Sequence, residues 1–166
     1  MSISFEIKSF IFSISSRILG PTIGCGSLVV EFKDISSGNP TSWWWDFGNG
    51  LTSTDQNPVM VFYPGVYDVT LKVSDSLSMD ILHISDVIRV YELPQVNFSA
   101  NITSGCLPLE VSFEDLSLSS APIVSWFWDF GDGGSDTVQH PSYSFNSSTE
   151  HDISLLVTDS NHCTSI

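Results

Sequence analysis

A sequence that repeats itself must fold into repeated units, and this chain does so over almost its whole length. Gly24-Cys25 and Gly105-Cys106 lie 81 residues apart, as do Phe32 and Phe113, and Asp34 and Asp115. Trp45-Asp46-Phe47-Gly48-Asn49-Gly50 returns 83 residues later as Trp128-Asp129-Phe130-Gly131-Asp132-Gly133, and Asp75 returns as Asp159 after 84. The drifting offset marks small loop insertions in one fold written twice. A length of 166 residues accommodates two small domains. Glu92-Leu93-Pro94 is the expected seam, because Pro94 cannot donate a ladder hydrogen bond and suits a crossover between modules. The expected domains are residues 1–93 and 94–166.

Each unit reads as all-β. Short alternating runs recur, such as Val69, Leu71, Val73 and Ile153, Leu155, Val157 with polar residues between them. Gly, Pro, Asn, Asp and Ser clusters break these runs every eight to twelve residues, the rhythm of a β-sandwich. Within the repeated motif, alternation puts Trp43, Trp45 and Phe47 on one face, and Trp126, Trp128 and Phe130 likewise. These are expected core residues. The Gly-Asn-Gly and Gly-Asp-Gly that follow allow positive φ, and Asp46, Asp129 and Asp132 are suited to bind backbone N–H groups of their own turns.

Charge removes several function classes. Five Lys plus Arg against nineteen Asp plus Glu leave a net charge of −14, and all five cations precede residue 94, so the second unit carries −9 with no fixed cation. Such a chain cannot neutralise phosphates or anionic lipid, which excludes nucleic acid and acidic membranes as partners. No apolar run is long enough to span a bilayer. Ser9 to Ile14 is too short for a signal-peptide core and lacks a small-residue cleavage site, so the chain reads as a mature or excised segment. The pair Asp129 and Asp132 is explained by turns rather than by acid/base catalysis. His83, His140, His151 and His162 are scattered without metal-ligand spacing. No enzyme activity is expected.

The quoted motifs resemble the PKD (polycystic kidney disease) domain, an immunoglobulin-like β-sandwich. The resemblance is carried by WDFGNG at Trp45 to Gly50 with NPVMVFYPGVYDVTLKVSD at Asn57 to Asp75, and by WDFGDG at Trp128 to Gly133 with HPSYSF and DISLLVTD beyond it. It runs from about Cys25 to Cys163 and implies two tandem sandwiches. Asn49 stands where the family usually has Asp, and Ser147 to Glu150 replace the familiar Pro64-Gly65-Val66-Tyr67, departures that touch hairpins rather than the core. Gly105 to Phe113 is similar to PKD modules of large surface proteins from gliding and adhesive bacteria. Modules of this family in secreted collagenases bind calcium through loop oxygens, so the resemblance raises calcium as a cofactor, although no convincing ligand set stands out.

Three further expectations concern sites. Cys106 and Cys163 fall near the first and last strands of unit two, where a disulfide would suit an extracellular protein; the position matching Cys163 in unit one is Met79, which leaves Cys25 without a partner in its own unit. Alternation turns Trp44 and Phe127 outward, to stack on a sugar or pack against a neighbouring module, or to be covered by a loop of their own domain. Residues 1–8 contain an alternating row, Ile3, Phe5 and Ile7, while unit two ends short of a full last strand. The expected function is a non-enzymatic extracellular spacer, repeat array or head-to-tail filament whose partners are copies of itself, formed by strand donation. The alternative is an accessory module of a secreted hydrolase that binds polysaccharide or collagen.

Overall fold

The structure, a computed structural model, describes residues 15–166, among which there is no helix. The expected strand at Ser2 to Lys8 lies outside the described residues. Contacts divide the chain into two units between Val90 and Tyr91.

Unit one is a two-sheet sandwich. One sheet has the order β1-β3-β6, from β1 (Ser16–Leu19), β3 (Leu28–Asp34) and β6 (Val59–Phe62). The other has the order β2-β8-β7-β4-β5, from β2 (Ile23–Cys25), β4 (Ser42–Asp46), β5 (Thr52–Ser53), β7 (Gly65–Ser74) and β8 (Met79–Tyr91). In β3 burial alternates without exception, with Leu28, Val30, Phe32 and Asp34 inward and Val29, Glu31 and Lys33 outward, as expected for a strand with one face on a core. Trp45, Phe47 and Phe62 are fully buried and pack around Phe32, with ring centroids 5.4, 5.2 and 6.3 Å from it.

Unit two repeats this plan with fewer strands. One sheet runs β13-β10-β9, from β9 (Phe98–Ala100), β10 (Leu109–Asp115) and β13 (Ser142–Phe145). The other runs β12-β11-β14-β15, from β11 (Ile123–Asp129), β12 (Ser135–Asp136), β14 (Ser154–Asp159) and β15 (Thr164–Ser165). Trp128 and Phe130 are fully buried, and Phe113 lies 5.4 and 5.5 Å from them, the same geometry as around Phe32.

The units differ at the last strand. In unit one, β8 pairs with β7 along nearly all of its length, from Ser74↔Met79 to Gly65↔Val90, and sends Ile88 and Val90 into the core. In unit two, β15 contributes only the pairs Thr158↔Thr164 and Val157↔Ser165. The neighbouring strand shortens with it: β14 begins at Ser154, whereas β7 begins at Gly65, which corresponds to Thr149. Residues 149–153 lie outside the strands.

Candidate functional site

The duplicated motif is a support for the fold. Asp46 and Asp129 each accept the N–H of the glycine two residues on, at 3.0 and 2.9 Å. Asn49 and Asp132 do the same for Leu51 and Gly134, at 3.0 and 2.9 Å. Asn in place of Asp therefore keeps the turn. Asp132 additionally accepts the Tyr143 hydroxyl at 3.0 Å. The carboxylates of Asp129 and Asp132 are committed to turn amides.

A second duplicated device joins the two sheets. The Trp43 and Trp126 indoles donate to the buried carboxylates of Asp34 and Asp115, each at 2.7 Å. Gln56 and Gln139 donate to the same oxygens at 3.3 and 3.2 Å, and the Ser36 and Ser117 amides donate to the other oxygen. The Asp34 amide donates to Asn57 Oδ1, and in unit two His140 Nδ1 takes that role for Asp115. The fully buried indoles Trp45 and Trp128 donate to the carbonyls of Asp55 and Val138, both at 3.0 Å. Among the described residues every buried side-chain nitrogen and oxygen has a partner, which matters because an unpaired one costs about 1–3 kcal/mol.

Burial pushes the Asp34 and Asp115 carboxyls up, but the bonds from serine, tryptophan and glutamine outweigh it and hold both below the ordinary value. A depressed carboxylate contributes stability above its unfolded pKa and loses it as pH falls through its folded pKa. Melting temperature should therefore hold near neutrality and fall below about pH 4. In the Asp34→Asn/Asp115→Asn double variant it should start lower and fall less steeply with acid. Melting curves from pH 6 to pH 2 check this, and equal acid slopes in parent and variant would contradict it.

The outward aromatics take different environments. Trp44 sits opposite Lys72 in the β4–β7 pair, and the Lys72 ammonium lies 4.1 Å from its ring centroid, leaving the indole half-buried. Phe127 sits opposite Leu156 in the β11–β14 pair and is 45% exposed. The same position on both sheets is thus aromatic, capped by a cation in unit one and open in unit two.

The cysteines correct the expected pairing. Cys106 is a free, exposed thiol, whereas Cys25 and Cys163 are disulfide-bonded, so no Cys106–Cys163 bridge forms and Cys25 is not left as a thiol. Cys25 ends β2 beside β8, whereas Cys106 lies in a loop with its thiol exposed, away from the buried Cys163. Cys163 is buried in the β14–β15 hairpin, where its amide donates to Asp159 Oδ1 at 2.9 Å. Its counterpart is Ser78 rather than Met79, since Ser78 and Cys163 carbonyls accept from Asp75 and Asp159 alike. Alkylation without reductant should modify Cys106 alone, and peptide mapping reads the result; protection of Cys106 would count against this assignment.

Among the described residues no group of three or more His, Cys, Asp and Glu side chains gathers where it could hold a metal ion.

Unit two carries an open groove of about 550 Å³ between Ser104-Gly105 on one side and Thr149 to Ile153 on the other, floored by Val111 and Phe145. A smaller hollow of about 280 Å³ continues along Ser154 and Leu155 to Ile166.

Two sandwiches with paired WDFG hairpins and indole–carboxylate links define a tandem immunoglobulin-like module protein. The PKD domain model matches residues 20–90 and again 92–165, and the chain belongs to the PKD domain family. Over 49 residues it is 43% identical to a microbial collagenase of Vibrio alginolyticus, a match covering 30% of this chain and 6% of that protein. Among solved structures it is similar to one described under carbohydrate-binding modules of the β-sandwich superfamily, at 13% identity and a TM-score of 0.40 over 88% of this chain and 83% of that one. The two units are accessory or structural modules.

Proposed function

We propose that the two modules act outside the cytosol as a non-catalytic structural or adhesive element, a spacer in a repeat array or filament. The observation that carries this reading is the duplication of the support network: the residues that recur between units close turns and join sheets. The oxidised state of Cys25 and Cys163 supports an oxidising compartment. A spacer acts through its length and stiffness. Replacing residues 20–165 by two unrelated sandwiches of equal length should therefore preserve surface display and attachment of the source cells. Loss of attachment with display intact would overturn it.

A second reading is favoured by one observation, the open Phe127 at the outward position that recurs as Trp44. Here unit two would bind a polysaccharide or collagen, as accessory modules of secreted hydrolases do, and the collagenase relative supports the matrix ligand. Under this reading Phe127→Ala weakens binding to immobilised collagen or glycan at least about tenfold, as loss of a central aromatic contact does. Stability should stay within about 0.5 kcal/mol of the parent, as at other surface sites. Equal binding by parent and variant removes this reading.

A further inference from the structure

We propose that β6 is a self-pairing edge: Val59 to Tyr63 lies antiparallel against the same residues of a second copy, joining the three-stranded sheets of two first units into one. This lateral contact goes beyond the spacer reading, which acts through length and stiffness alone.

Among the described residues β3 is the one strand beside β6, so the other side of β6 is an edge. The Phe32 amide donates to the Pro58 carbonyl at 2.9 Å, and that pair continues the register of Val30↔Met60 and Leu28↔Phe62. Hydrogen-bonded and non-bonded pairs alternate along an antiparallel ladder. Met60 and Phe62 therefore turn their backbone groups to β3, whereas Val59 and Val61, opposite Glu31 and Val29, turn theirs away from it. The same two residues have exposed side chains, at 59% and 41%, and Val29 beside Val61 is 59% exposed. Unpaired N–H and C=O groups combined with apolar side chains make an edge strand a template for another strand.

Unit two carries the same strand in a blunted form. β13 ends its sheet as β6 does, and the Phe113 amide donates to the Pro141 carbonyl in the matching way. The residues whose backbone turns away from β10 are Ser142 and Ser144. The Ser142 hydroxyl is bonded to that of Ser112 at 3.0 Å, and the Asn146 side-chain amide donates to the Ser144 carbonyl at 3.2 Å, which caps an edge acceptor. One fold written twice thus has one edge closed by polar groups and the matching edge left apolar.

Charge and symmetry choose a second copy as the occupant. A chain of net charge −14 repels itself over most of its surface, but residues 56–67 contain no charged side chain, and residues 1–93 hold all five cations. Two first units can therefore meet at β6 with no like charges on the paired strands. Setting Val61 opposite Val61 of the second copy also sets Val59 opposite Tyr63 in both directions. Val29 and Val61 of the two copies then form one apolar row across the seam, the β-branched cross-strand packing that stabilises sheets. The added strand also covers Met60, half-buried at the flank of the core. Such an isologous contact closes as a dimer, and a seam bounded by Pro58 and Pro64 is short enough to make it weak.

Sedimentation of the chain up to about 1 mM, the range in which small interfaces associate, tests this with hydrogen exchange on the same samples. Expected are a mass that rises toward the dimer and stops there, and at least about threefold slower exchange of the Val59 and Val61 amides at the highest concentration. Val61→Lys puts a charge on the seam and leaves the bonds to β3 in place, so it should give monomers that melt like the parent. Val61→Pro removes only an edge N–H and should also give monomers. Ser144→Lys, the matching change in unit two, should leave association unchanged. A parent that stays monomeric overturns the inference: slow exchange at Val59 and Val61 would then assign the edge to a segment of the chain itself, and fast exchange would leave it to a strand of another protein. Association that survives Val61→Lys, is lost in Ser144→Lys, or grows past the dimer overturns it as well. In each case the spacer reading stands, because its test replaces both modules and reads attachment.

Discussion

Trp128→Ala should remove most of the folded population of unit two. Trp128 is fully buried, lies 5.2 Å from Phe98 and 5.4 Å from Phe113, and donates its indole N–H to the Val138 carbonyl at 3.0 Å. Truncating a buried tryptophan costs about 3–5 kcal/mol. Domains hold about 0.05–0.15 kcal/mol per residue, so a loss of this size rivals the whole stability expected of the 76 residues of Tyr91–Ile166. The same change at Trp45 meets a larger buried cluster, eleven residues against seven, and should leave more of unit one folded. Hydrogen exchange resolved by residue separates the two, with loss of protection in β10, β11 and β14 expected for Trp128→Ala. Parent-like protection in those strands would mean that Trp128 is not central to the core.

Much of this architecture was legible because strand alternation and turn chemistry are local. The WDFG repeat identifies a strand, its inward residues and the hairpin after it, and Trp45, Phe47, Trp128 and Phe130 lie where alternation puts them. Alternation reports a face, not a polar partner, so it could not show that the indoles of Trp43 and Trp126 reach Asp34 and Asp115. The recurrence of both acids at the 81-residue spacing was the available signal. The disulfide was misread because cysteine spacing carries no partner information. One extra residue in the β14–β15 hairpin shifts the counterpart of Cys163 from Met79 to Ser78. The histidines looked unrelated until register aligned them: His140 replaces Asn57 and His151 replaces Tyr67.

Gly131→Ala should destabilise unit two by about 3 kcal/mol, from two independent sources. The backbone at Gly131 has φ +74°, a left-handed conformation that costs a residue with a Cβ about 1–2 kcal/mol. A Cβ there would also stand 2.6 Å from the Asp152 carbonyl oxygen and 2.9 Å from its amide nitrogen. Both are backbone atoms, so relief requires moving the strand approach that carries Ile153 toward the core, and strain forced into a packed structure of this kind adds about 1–3 kcal/mol. Gly133 isolates the first source. Its φ is +93°, but nothing lies within 4 Å of a built Cβ, so Gly133→Ala should cost only the conformational part, about 1–2 kcal/mol. Gly48→Ala provides the parallel in unit one, with φ +69° and the Asp68 carbonyl oxygen at 2.6 Å. Urea denaturation of the three variants reads the difference directly. Equal losses at Gly131 and Gly133 would show that the close approach of the WDFG turn to the following strand carries no energetic weight, and that the turn is conserved between the two units for its dihedral angles alone.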